Sequence, residues 1–326
     1  MDVFNKPAVF QGYAMTVARM RLHYPIDYSV DKIPNKYGPL DGDGLPLFDS
    51  RILRLSLGYI YHPMVILQYG LAHFELALRG ESAAKDTVYR CTKWLEDHAI
   101  EEPSKRFLVW YYYFPLKSLP EHPLPWFSGM QQGQALSLLV RAYQNTKSLR
   151  TAITAQQAAQ SFLYNISEGG VMSRTIQGNG FIEEYAFRPA SHVLNGCLYA
   201  LVGLHDYLTV FPDARLQNVL EQTTRGVIEV LPDYDLGWWS RYSLGLRWNM
   251  ATPYYHSIHV ALLRYLGEVL PSEVLERYAN HWEHCQRESS NLRKRWVLGI
   301  FEKNANRALR LLNLKRLRNT HAASFK

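Results

Sequence analysis

The sequence predicts a mainly α-helical chain, an α/α toroid or partial barrel of about four helix hairpins with a small β-hairpin at its active-site mouth. Three observations predict it. Helical periodicities come in pairs joined by short connectors. The connectors between pairs are long and crowded with aromatics. One of them alternates like a strand and turns at Gly178-Asn179-Gly180. Hairpins with short loops at one end gather their long loops at the other, so residues distant in sequence meet at one mouth.

Residues 1–57 read as irregular or extended, because Pro25, Pro34, Pro39, Pro46 and the Asp41-Gly42-Asp43-Gly44 turn forbid a long helix. That Asp-Gly run lacks the glutamate a calcium loop requires. The predicted toroid spans 58–290. Pro63 opens its first helix, with Met64, Ile66, Leu67, Leu71, Phe74 and Leu78 on it and Gly80 after it. Further helices are predicted at 83–98, Gly129 to Asn145, 150–164, 190–208, 214–231, 256–268 and 272–286. The long connectors cover 99–127, 165–189 and 232–255 and carry Trp110 to Phe114, Phe181 to Phe187, Trp238, Trp239, Tyr242, Trp248, Tyr254 and Tyr255. Sugar rings present C–H faces that pack on aromatics, so such a mouth suits a glycan.

Of 326 residues, 47% are hydrophobic and 20% charged, which excludes disorder, collagen-like repeats and a coiled coil. No apolar run has the length of a bilayer span. No signal peptide is visible from Met1 to Gln11, so a cytoplasmic location is expected. Cys91, Cys197 and Cys285 are widely spaced and read as reduced core thiols. Residues 291–326, a basic amphipathic helix or tail, hold ten Lys/Arg against Glu302 alone. They carry a net +9 and leave −2 for residues 1–290 of the chain's +7. Such a helix either docks on the domain with a solvated basic face or touches an anionic surface, a membrane included. No nucleic-acid motif accompanies it, so a nucleic-acid partner is not expected.

The chemistry-bearing residues lie in the last two long connectors. Glu183-Glu184-Tyr185 ends the predicted hairpin, and adjacent strand residues face opposite ways, so Glu184 and Tyr185 reach one point only if the strand twists or bulges. Tyr242 precedes Tyr254-Tyr255-His256 and His259. A carboxylate with several phenols can move protons to and from carbon. Taken singly, each tyrosine reads first as amphipathic packing near a helix start. His256 and His259 share a helical face but lack an obvious third ligand, so they read as core or substrate-contact histidines and no metal is expected. Serine-hydrolase, P-loop and dinucleotide-binding motifs are absent.

At these residues the sequence resembles the D-glucuronyl C5-epimerases of heparan sulfate and heparosan synthesis. The resemblance lies in Gly58-Tyr59-Ile60-Tyr61-His62-Pro63-Met64, in Gln68 to His73, in Pro125 to Ala135 running on to Val140-Arg141-Ala142-Tyr143, in Glu183-Glu184-Tyr185, in Val193-Leu194-Asn195-Gly196, and in Tyr254 to His259. It implies a short form without the central β-sandwich of the animal enzymes. It implies an isomerase that inverts C5 of glucuronate to iduronate inside an anionic uronate polysaccharide, with no organic cofactor, and a homodimer. The catalytic residues carried over are Glu184, Tyr185, Tyr242 and Tyr255, with Glu184 and Tyr255 as the opposed pair. Trp126, Arg188, Asn195, Arg247 and His256 are the expected substrate contacts. The alternatives are a uronate polysaccharide lyase, which begins with the same proton abstraction, and a non-catalytic glycan-binding or capsule-assembly protein.

Overall fold

The computed structural model describes residues 22–29, 37–102, 107–116, 123–245 and 249–302. Helices dominate them: α1 (Pro63–Leu78), α2 (Ser82–His98), α3 (Gly129–Thr146), α4 (Leu149–Ala159), α5 (Leu194–Leu208), α6 (Ala214–Tyr234), α7 (Pro253–Val269) and α8 (Glu273–Arg287). Residues 289–302 are also helical. The strands form small antiparallel pairs: β1 (Phe48–Asp49) with β2 (Tyr59–Ile60), β3 (Ile100–Glu101) with β4 (Leu108–Val109), and β5 (Met172–Arg174) with β6 (Gly180–Ile182). The first pair bridges the expected boundary at 57/58, and Tyr24, Ile26, Tyr28 and Leu45 belong to the buried core.

Local chemistry sets the helix ends. Pro63 opens α1, where a missing N–H leaves no bond unmade. Side-chain oxygens of Ser128, Ser148, Asp213, Thr252 and Ser272 accept first-turn N–H groups of α3, α4, α6, α7 and α8. Several boundaries differ from the periodicity. The fourth helix ends at Ala159 and tightens into a 3-10 turn, Gln160–Leu163. The sixth continues through Pro232 to Tyr234, and the seventh starts earlier, at Pro253 behind its Thr252 cap. The fifth starts at Leu194 rather than 190. The Ser191 and His192 N–H groups donate to Glu183, and His192 sits at φ 47, outside helical space.

In packing, α1 lies against α2 and α3, α3 against α4 and α5, α5 against α6 and α7, and α7 against α8. Every residue of α5 is buried, so this helix is the centre of the core. Its crossing with α3 depends on glycine. A Cβ on Gly133 would lie 2.4 Å from the Ala200 Cα, and one on Gly203 would lie 1.8 Å from the Gly133 carbonyl oxygen. The hairpin seats on α6, the Gly180 carbonyl being 1.9 Å from where a Gly226 Cβ would stand.

Towards the C-terminal end of α5 the core closes over an ion pair. Arg141 Nη1 donates to Asp206 Oδ2 at 2.6 Å, and both side chains are fully buried. Ser137 Oγ adds a bond to the same oxygen at 2.7 Å and Tyr265 one to Oδ1 at 3.3 Å. Burial works against the Asp206 charge, but Arg141 outweighs it and holds the carboxyl below its ordinary range. Cys91, Cys197 and Cys285 are buried free thiols. Among the described residues no helix is long and apolar enough to cross a membrane.

Candidate active site

The β5–β6 hairpin aims two adjacent glutamates at different tasks. Glu183 is fully buried. It accepts from Ser173 Oγ at 2.6 Å, Ser191 N–H at 3.1 Å and His192 N–H at 2.9 Å, pinning the approach to α5. The chain then bends at Glu184, and Tyr185 pairs with Ser128 in an isolated antiparallel bridge. This bend turns Glu184 and Tyr185, which regular alternation would separate, toward one another. Tyr185 lies against the Glu184 carboxyl and Tyr242 against Tyr185, close enough for each to influence the other's proton. Tyr255 packs on Tyr242, their rings 4.8 Å apart. The four carried-over residues therefore come together at one place.

The remaining connections hold this group in place. The Leu194 N–H donates to the Tyr242 carbonyl at 3.1 Å, joining the last connector to the start of α5, and Tyr242 N–H donates to Asn249 O at 2.7 Å. Thr252 caps the helix turn that carries Tyr255. Gly196 leaves room for the Glu184 side chain, since a Cβ there would stand 2.5 Å from the Glu184 Cβ and 2.8 Å from its Oε2. Glu184 is buried, Tyr185, Tyr242 and Tyr255 are half-buried, and Tyr254 is exposed beside them, so polar groups step outward from a carboxyl floor.

Burial raises the Glu184 carboxyl to about 7, against hydrogen bonds from Tyr185 and Asn195 that oppose the shift, while neighbouring Glu183 adds to it. At neutral pH the group therefore samples both protonation states. Burial, reinforced by the Glu184 charge, raises Tyr185 and Tyr242 well above the phenol range and Tyr255 to about 12. The phenols are consequently neutral proton donors rather than resting phenolates.

The expected substrate contacts separate into distinct environments. Asn195 Nδ2 donates to Glu184 Oε2 at 3.4 Å, while its Oδ1 is buried without a partner among the described residues. Trp126 places its ring 6.0 Å from Tyr185, its indole N–H held by the Phe114 carbonyl at 2.9 Å. Arg188 is exposed and, with Arg174, Asn165 and Ser173, lines an open groove of about 760 Å³ apart from the tyrosine series. His256 is fully buried. Its Nδ1 accepts the Ser240 N–H at 3.2 Å, its Nε2 donates to the Trp282 carbonyl at 3.0 Å, and its ring stacks on Trp239 at 3.9 Å. Both nitrogens are thus committed to protein, and burial lowers the ring to about 4. Arg247 lies outside the described residues. No group of three or more His, Cys, Asp or Glu suited to a metal occurs among the described residues.

Sequence reasoning gave no role of their own to Glu183, Gly196 and Tyr112. Tyr112 packs 4.2 Å from Trp126, and the Glu184 charge helps raise its phenol, behind burial as the main cause. Its signal was the run from Trp110 to Phe114, which marked an aromatic connector without telling which ring faced inward.

Residues 104–284 match the family described as D-glucuronyl C5-epimerase C-terminus, and the chain belongs to that family. The match includes Glu184, Tyr185, Tyr242 and Tyr255. The D-glucuronyl C5-epimerase of Caenorhabditis elegans is 36% identical over 177 residues, 49% of this chain and 29% of that protein. An uncharacterized protein of Methanocaldococcus jannaschii is 28% identical over 193 residues, 57% of this chain and 61% of that protein. In both cases the chain spans less than two thirds of the relative's length.

Proposed function

We propose, from membership in the D-glucuronyl C5-epimerase C-terminal family, that this chain inverts C5 of D-glucuronate residues to L-iduronate within a heparosan-like uronate polysaccharide. The observation that supports it best is the buried Glu184 carboxyl, bonded by Asn195 at 3.4 Å and raised to about 7, with Tyr185, Tyr242 and Tyr255 gathered about it and the last two rings 4.8 Å apart. The C5 proton, α to the sugar carboxylate, passes to the Glu184 carboxylate as the C–H electron pair delocalises into the carboxylate oxygens. Tyr255 then gives its proton to the opposite face of C5. The proton held on Glu184 returns to the Tyr255 oxygen along Tyr185 and Tyr242, so the cycle ends as it began, with no net proton gained or lost. A base working near neutral pH beside neutral phenols suits both halves of this exchange.

Substrate positioning follows from the same arrangement. The Trp126 ring forms a wall for a sugar face, and the unpaired Asn195 Oδ1 accepts a sugar hydroxyl. The groove with Arg174 and Arg188 offers cations to carboxylates further along the polymer. In this reading α1, α3, α5 and α7 form the inner arc of a partial α/α toroid, with α2, α4, α6 and α8 as their outer partners. The neighbour order of the helices supports that arrangement.

Incubation with unsulfated and N-sulfated heparosan in deuterated water tests the reading by proton NMR. Deuterium at C5 with new iduronate signals is the expected result. A near-ultraviolet absorbance from an unsaturated product would replace it with a lyase, and no exchange on either polymer would overturn it.

A further inference from the structure

The helix at 289–302 is turned the wrong way round for a helix facing water. Its inner side is polar in its contacts. Arg295 Nε donates to the Ala251 carbonyl at 2.8 Å and Nη2 to the Met250 carbonyl at 3.2 Å, while Glu302 accepts the Met250 N–H at 3.1 Å. Its outer side presents Leu292, Trp296, Val297, Ile300 and Phe301, with Trp296 71% and Phe301 66% exposed. At 100° per residue these five side chains cover roughly half the helix circumference, opposite Arg295 and Glu302. Arg293 and Lys294 lie among and beside them, both exposed, and Lys294 rests 4.1 Å from the Trp238 ring centroid.

Five exposed apolar side chains on one side of a helix mark a contact surface. The charge of the surrounding sequence says with what. Residues 291–326 hold ten Lys/Arg and one acid, so the apolar stripe is set in the most cationic part of the chain. Basic residues flanking a Trp- and Phe-bearing face are the arrangement of a helix lying in the plane of an anionic bilayer, with its apolar side among the acyl chains and its cations at the headgroups. A polyanionic sugar chain would match the cations but gains nothing from the aliphatic side chains.

We propose that the outer face of the 289–302 helix is a seat for an anionic lipid surface. The seat is peripheral, with no segment crossing the bilayer. It stands apart from the proton-transfer reading in the residues it uses. It also braces the connector that carries Tyr242, because Arg241 bridges to Met250, the residue Arg295 and Glu302 hold.

Flotation of the full chain with phosphatidylcholine vesicles containing about one third phosphatidylglycerol, compared with pure phosphatidylcholine, tests the seat. The native chain should float with the anionic vesicles and much less with the neutral ones. Trp296→Ser with Phe301→Ser should reduce anionic partitioning about tenfold or more, with a native circular dichroism spectrum and melting temperature. Equal flotation of the double variant would show that charge alone binds lipid and would overturn the seat. No flotation, with a native dimer that the double variant converts to monomer, would assign the face to a second copy. No flotation without a change in mass would assign it to the chain's own remaining residues.

Discussion

Near the first turn of α5, the Glu184 carboxyl accepts from Tyr185 and Asn195 and meets no cation among the described residues. Towards the other end of the same helix, Asp206 is enclosed by Arg141, Ser137 and Tyr265. Both groups are buried, yet one is raised to about 7 and the other is held below its ordinary range. Burial penalises both charges, and the partner decides the outcome. A guanidinium makes Asp206 a permanent charge that fastens α3 to α5. Neutral donors leave Glu184 able to take up and release a proton. The comparison separates a carboxylate fixed in an ion pair from one free to exchange a proton, as the proposed reaction requires, without appeal to where either lies in the sequence.

The most severe break in that comparison is Glu184→Gln, a neutral isostere that keeps the Tyr185 bond but cannot accept a proton. Turnover of the polymer should fall about 10³- to 10⁴-fold, while the unfolding free energy does not decrease. Comparable turnover in the variant would remove Glu184 from the chemistry. Arg141→Met should do the reverse. It leaves Asp206 buried without its cation and should cost about 3–5 kcal/mol of stability by urea denaturation. Much of that loss should be recovered when Asp206→Leu is added, since the isolated charge is then gone. A single-variant loss below about 1 kcal/mol would mean that water or another group already serves Asp206.

The two carboxylates also predict opposite responses to pH. Glu184 holds its proton to about 7 in the folded chain but releases it near its ordinary value, 4.5, when unfolded. Between those values the unfolded chain binds fewer protons, so stability falls as pH rises, by on the order of 3 kcal/mol. Asp206 runs the other way. Its contribution is present above its unfolded pKa and is lost only as the pH falls through its lowered folded value. Denaturant titrations from pH 4 to 8 should show the Glu184 slope in the native chain and a flatter profile in Glu184→Gln. With Glu184 as base, kcat/KM should rise with pH through about 7. The smallest effect expected is that of Gly196→Ala. Its new methyl must displace the Glu184 side chain, costing about 1–2 kcal/mol and lowering turnover about tenfold. A crystal structure with Glu184 unmoved would contradict it.

Much of this was legible beforehand. Periodicity placed the helices, Pro63 signalled a start, and Gly178-Asn179-Gly180 gave the hairpin, because these signals act over a few residues. Glu184, Tyr185, Tyr242 and Tyr255 were reached through the family resemblance rather than through spacing, and nothing local distinguished Glu183 from Glu184. Their different surroundings arise from a bend after β6 and from Ser191 and His192 arriving to occupy only one of them. His256 shows the same limit. Its motif left core and substrate contact open, and Ser240 and Trp282 meet it from other elements and take both nitrogens. The core positions of Tyr24 and Tyr28 were equally hidden, since the segment before α1 has no periodicity to display them.

The α3–α5 crossing has a consequence for how this chain can vary. Gly133 and Gly203 have no side-chain atom to remove and no room for one to be added, the nearest opposing atoms standing 2.4 Å and 1.8 Å from a would-be Cβ. Larger core residues tolerate exchange by trading volume with neighbours, but a glycine pair has no volume to trade. In a saturation library selected for folding, both positions should therefore be nearly empty of alternatives. Compensating changes at Ala200 should rescue little, because the atoms in the way belong to the backbone.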